Sequence, residues 1–126
     1  MKTSTLVLAF GLVFSSMAFA QSDVYVGTVS ENLVDINITP NTSRDQLARM
    51  QRDLSEQGLT FRYDNIEWIE GELVSIHVGL KDAETGVSAV FSTEDLGGST
   101  TAIRVFMDRT ENAPTPIYLG EANAKQ

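Results

Sequence analysis

The sequence predicts an α+β fold: a mostly antiparallel sheet of about five strands with one amphipathic helix packed on one face, in the order β-α-β-β-β-β. Three observations carry this reading. Only the stretch from Ser43 to Gly58 shows a helical apolar period with a start and a stop signal. Most other apolar runs alternate with polar residues at the period of a strand. The later runs are separated by short polar turns, a spacing that favours hairpins.

The helix is specified at both ends. Ser43 with Gln46 three positions on forms a capping box, and Thr42 with Asp45 offers the same geometry one residue earlier. Asp45 suits the positive end of the helix dipole. Leu47, Met50 and Leu54 make a narrow apolar stripe, with Ala48 and Gln51 beside it. Arg44, Arg49, Arg52, Asp53 and Glu56 occupy the wet side, where Arg49 and Asp53 are spaced to pair. Gly58 is the stop: placed at C′ in the left-handed conformation, it puts Leu59 and Leu54 at the contact positions of a Schellman motif.

The strands follow in order. Gln21 to Asn32 is a flexible lead-in or an extra strand at the alternating patch Val24-Tyr25-Val26-Gly27-Thr28-Val29. In the first strand, Leu33 to Ile38, Val34, Ile36 and Ile38 share a face; Pro40 ends it. Leu59, Phe61 and Tyr63 share a face of the second, and a bulge near Asn65 restores phase with Ile66 and Trp68. Glu70-Gly71 is a turn. Leu73 to Leu80 follows, with Val74, Ile76, Val78 and Leu80 inside and His77 outside. Val87 to Ser92 and Thr101 to Met107 complete the set, separated by the loop Glu94 to Ser99. The short strand-helix-strand connection favours a right-handed crossover with the first two strands parallel.

A domain plan results: residues 1–20 a signal peptide, 21–32 the lead-in, 33–107 a single α+β domain, and 108–126 a tail able to dock through 117–119. Lys2, the apolar run Leu6 to Phe14 and Ala18-Phe19-Ala20 supply the three parts of a secretory signal. Export without any cysteine, and so without disulfides or a lipid anchor on cysteine, points to a bacterial periplasmic or secreted protein. No membrane span is expected after signal removal. The chain has 9 basic and 17 acidic residues, net −8, which argues against nucleic acid or anionic lipid as a partner. The charge reads first as solubility.

One helix about 10–12 Å across roofs two or three strands at 4.8 Å spacing. The rest of a five-stranded sheet needs another cover. The segments at Ile117-Tyr118-Leu119 and Val24-Tyr25-Val26, tight curling of the sheet, and a partner chain are the candidates.

The runs Asp35-Ile-Asn-Ile-Thr39, Thr42-Ser-Arg-Asp-Gln-Leu47, Leu54-Ser-Glu-Gln-Gly-Leu-Thr-Phe61 and Gly71-Glu-Leu-Val-Ser-Ile-His-Val-Gly-Leu-Lys-Asp82 resemble a small exported Bacteroidetes-type module. That module is similar to the extracytoplasmic C-terminal segment of antirepressor-type membrane metallopeptidases. The resemblance spans Asn32 to Met107. It implies a fold and an envelope location, and it carries over no catalytic residue, because the peptidase's zinc-binding helix has no counterpart here.

The chemistry-bearing residue types are sparse. His77 is the single histidine, and no H-E-x-x-H or G-x-S-x-G motif is present. Asp82 and Glu84 lack a calcium-loop pattern, and Leu96-Gly97-Gly98-Ser99 is not followed by the lysine of a phosphate loop. No metal or cofactor is expected. Trp68, the one tryptophan, with Glu67, Glu70 and Glu72 at the same hairpin, forms the candidate binding group. The expectation is a non-enzymatic exported binding or accessory domain of the bacterial envelope, taking an envelope protein or a glycan. The alternatives are a small hydrolase using the clustered hairpin carboxylates and a self-associating structural domain pairing through sheet edges.

Overall fold

The computed structural model describes residues 23–110 and 117–122. The signal-peptide segment, residues 1–20, lies outside the described residues. The described chain is of the α+β class, with seven strands and one helix. The strands are β1 (Gly27–Val29), β2 (Leu33–Ile38), β3 (Leu59–Ile69), β4 (Glu72–Asp82), β5 (Ser88–Thr93), β6 (Ile103–Asp108) and β7 (Ile117–Glu121). The helix α1 (Arg44–Ser55) separates β2 from β3.

The expected single sheet of five strands is replaced by two sheets, ordered β1-β2-β6-β7 and β3-β4-β5. Every strand pairing is antiparallel. The parallel pair expected across α1 is absent: β2 pairs with β1 and β6, and β3 lies in the other sheet. The crossover rule applies only when both strands enter one sheet. Here the helix is the corner at which the chain changes sheet.

Splitting the sheet resolves the covering problem. One core takes Val34, Ile36 and Ile38 from β2, Phe61 from β3, Ile76, Val78 and Leu80 from β4, and Val105 and Met107 from β6. Leu47, Met50 and Leu54 of α1 enter the same core. Each sheet is thus the other's cover, and the slim helix closes only one side. The residues before β1 lie along α1: Gln46 Nε2 donates to the Val24 carbonyl at 2.6 Å, the Tyr25 hydroxyl to Asp53 at 2.6 Å, and Arg49 to Asp23 at 2.9 Å. Burial and the hydrogen bond to the Asp53 carboxylate both raise the Tyr25 hydroxyl above its ordinary pKa. From the other side of the helix, Gln51 Nε2 donates to the Phe61 carbonyl at 2.9 Å and so satisfies part of the β3 edge. Opposite the helix, β5 runs beside β7. The segment 117–119 is part of β7, where Leu119 is buried.

Local details follow from residue type. The Ser43–Gln46 capping box is formed in both directions, at 3.1 and 2.8 Å. Helix α1 ends one residue earlier than a Schellman stop with Gly58 at C′ requires. Its C-cap is Glu56, two tight turns follow (Gln57 to Leu54 and Gly58 to Ser55), and Gly58 takes φ 80° two places beyond the cap. The bulge expected near Asn65 is present: the β3–β4 register shifts between Asp64 and Glu67, and Asn65 has φ 52°. A second shift, between Glu67 and Trp68, puts an extra residue into β4. It turns Leu73 into the core and leaves Val74 only half-buried, which corrects the expected inward face.

Candidate functional site

The group expected at the β3–β4 hairpin is not one site. Trp68 pairs with fully buried Leu73 and packs against the core. Arg44, from the first turn of α1, lies over its ring at 5.2 Å, a cation–π contact. Glu67 precedes Trp68 on the pleated strand and so points to the opposite face. Glu67, Glu70 and Glu72 are all exposed, and Glu70 with Gly71 forms the two-residue turn itself. Both turn residues have positive φ, 52° and 83°, the geometry of a type I′ hairpin. Carboxylates spread around an exposed turn have no enclosure to hold a substrate between them. Among the described residues, no three His, Cys, Asp or Glu side chains converge as a metal site.

A different surface emerges on the outer face of β3-β4-β5. Cross-strand pairing there arranges the outward side chains in rows. Asp64, His77 and Ser92 form one row, Arg62, Gly79 and Val90 the next, and Thr60, Lys81 and Ser88 the third. Gly79 occupies the middle of this grid and offers no side chain. The result is a shallow depression of about 330 Å³ floored by Gly79 and bordered by Thr60, Arg62, Lys81, Ser88 and Val90. Val90 is 69% exposed, a large apolar side chain held in water on a face otherwise polar.

The basic residues of the described chain separate into two groups. Arg49 and Arg52 pair with acids of the helix and lead-in, Arg104 with Asp35, Arg109 with Asp82 and Glu84, and Arg44 covers Trp68. Arg62 and Lys81 alone among the described basic residues have neither a carboxylate nor a ring partner. Both border the Gly79 depression.

The row Asp64, His77, Ser92 contains the residue types of a nucleophilic triad, and the only histidine stands at its centre. No hydrogen bond joins the three, and the row lies on an open strand surface beside the depression rather than within it. A triad needs the base within hydrogen-bond reach of both neighbours. In this arrangement the three side chains stand as separate polar groups on the surface.

A larger concavity, about 750 Å³, lies between Glu31, Glu56, Glu84 and Arg109. Its cation is already committed: Arg109 Nη2 donates to buried Asp82 at 3.0 Å and ties the end of β6 to the end of β4. Burial alone would raise the Asp82 carboxyl, but the Glu84 N–H and the Arg109 guanidinium outweigh it and hold it below its ordinary pKa. This concavity is a joint between the two sheets.

Sequence reasoning missed the Gly79 surface, although part of it was countable. Arg62 stands eight residues before Glu70 and Gly79 eight after Gly71, and they lie opposite each other because the two register shifts between them and the turn, one in each strand, cancel. The β5 side depends on a longer connection and left no such count. No family model matches this chain, and neither does any curated protein or solved structure.

Proposed function

We propose that this is a non-enzymatic binding domain exported to the bacterial envelope, and that the outer face of β3-β4-β5 is its binding surface. The observation that carries the reading is the pair of uncommitted cations, Arg62 and Lys81, beside an unfilled glycine floor. In a chain of net charge −8, every other described basic side chain has an intramolecular partner. Two exposed cations with no partner in the chain keep their donors available for charge-assisted hydrogen bonds to a bound anion. The signal-like segment from Lys2 to Ala20 and the resemblance to an exported envelope module support the compartment. The two-sheet core beneath the face gives the rigid support a binding surface needs.

Co-sedimentation with purified cell-envelope fragments tests this. The mature protein should pellet with the fragments, and the double charge reversal Arg62→Glu with Lys81→Glu should release it at least tenfold. Equal retention of the double variant would contradict the assignment of this face.

A further inference from the structure

The chain contains its own precedent for what such a face holds. In each sheet an arginine stands directly opposite a glycine on the neighbouring strand: Arg104 opposite Gly120, and Arg62 opposite Gly79. The first pair is filled from within the chain. Asp35 accepts two hydrogen bonds from Arg104, at 2.9 and 3.0 Å, and Arg104 stacks on Phe106 at 4.5 Å. Tyr118 lies over Gly120, so close that a Cβ there would meet its hydroxyl oxygen at 2.8 Å. An oxyanion on the guanidinium and a ring on the glycine therefore complete this arrangement. At the second pair neither is present. The nearest atom to a Cβ built on Gly79 is a Val90 methyl at 3.7 Å, an ordinary contact.

Resting on the binding role proposed above, we infer that the Arg62–Gly79 face takes a phosphorylated sugar. The charge argues for a phosphate monoester. Two free cations border the depression, and a phosphate monoester carries about −1.5 to −2 at neutral pH, against −1 for a carboxylate. Arg62 and Lys81 stand on adjacent strands, one pleat repeat apart, so their long side chains can close on one group. The surroundings argue for a sugar ring. Gly79 gives a flat floor, Val90 an apolar contact for a ring face, and Thr60 and Ser88 hydroxyls for its edge. Asp64 and Ser92 in the neighbouring row add an acceptor and a hydroxyl, and they fix the orientation. The carboxylate repels phosphate, so the phosphate lies toward Lys81 and the sugar hydroxyls toward Asp64.

Gly79 makes the test separable from folding. Its φ is not positive and a Cβ there would make only ordinary contacts, the nearest with Val90 at 3.7 Å, so Gly79→Val suits the strand while filling the floor. Calorimetric titration of the mature protein with a hexose 6-phosphate should show saturable binding. Inorganic phosphate and the uncharged hexose should each bind at least tenfold more weakly. Gly79→Val should lose at least tenfold in affinity at an equal or higher thermal midpoint, and Arg62→Gln and Lys81→Gln should each lose a similar factor. No binding of the hexose phosphate at millimolar concentration would overturn the ligand class, as would inorganic phosphate binding equally well. Binding undiminished in Gly79→Val would overturn the site. The envelope assay reads the surface independently: retention that needs Arg62 and Lys81 without hexose phosphate binding removes the ligand and keeps the face.

Discussion

The two sheets present contrasting outer faces built from one pattern. On β1-β2-β6-β7 the cross-strand Arg–Gly pair is closed by Asp35, Phe106 and Tyr118. On β3-β4-β5 the equivalent pair is bare, and Val90 stands in solvent beside it. A glycine inside a strand weakens it, and a ring laid across the gap compensates. The filled face shows that this chain can supply such a ring and a carboxylate from its own residues. The bare face is therefore the informative one, because its local cost is left uncompensated by the protein itself.

The largest effects lie in the core that the two faces share. Phe61 and Leu54 are fully buried where α1 and β3 meet. Phe61→Ala should destabilise by about 3–5 kcal/mol and Leu54→Ala by about 2–5 kcal/mol, read from denaturant midpoints with Trp68 fluorescence as the reporter. Loss of both faces together would follow.

The next effect is at the joint between the sheets. Removing Arg109 leaves buried Asp82 without its cation, so Arg109→Met should cost about 2 kcal/mol, less than a fully buried pair because Arg109 is partly exposed. The pair also sets a pH response. The folded carboxyl of Asp82 is held below its unfolded value, so its contribution is complete above about pH 4 and is lost as the pH falls through the folded value. The stability gap between the protein and Asp82→Asn should be full at pH 6 and shrink in acid. A gap that widens in acid would refute this account of the joint.

Smaller effects sharpen the role of the backbone. Gly58 has positive φ and only the Arg109 guanidinium near its Cβ position, so the cost of Gly58→Val is conformational, about 1 kcal/mol or more. Glu70 holds φ 52° in a type I′ turn that favours asparagine or glycine. Glu70→Asn should stabilise by up to about 1 kcal/mol without altering any binding at the Gly79 face.

What the sequence revealed was local. The helix, its capping box, its apolar stripe and the bulge at Asn65 are each set by residues a few positions apart, and each is where the pattern put it. The division into two sheets was not legible, because nothing in the strand-helix-strand order tells whether the second strand rejoins the first. Trp68 and its glutamates were adjacent in sequence and were read together, yet the pleat sends Trp68 to the core and leaves the acids outside. The Arg62–Gly79 pair follows a count from the turn only because the Asn65 bulge in β3 is cancelled by the extra residue in β4, and that second shift left no signal in the sequence. Its meaning needed the second pair, Arg104 and Gly120, whose partner strand lies across the region 111–116 and whose register no count could supply.

The contrast between the faces is tested most directly by amide chemical-shift mapping of the mature protein during titration with a hexose 6-phosphate. The account predicts saturable shifts confined to the neighbourhood of Arg62, Gly79, Lys81 and Val90, with Arg104 and Gly120 unmoved. Shifts centred on Arg104 and Gly120, or no saturable shift anywhere, would contradict it.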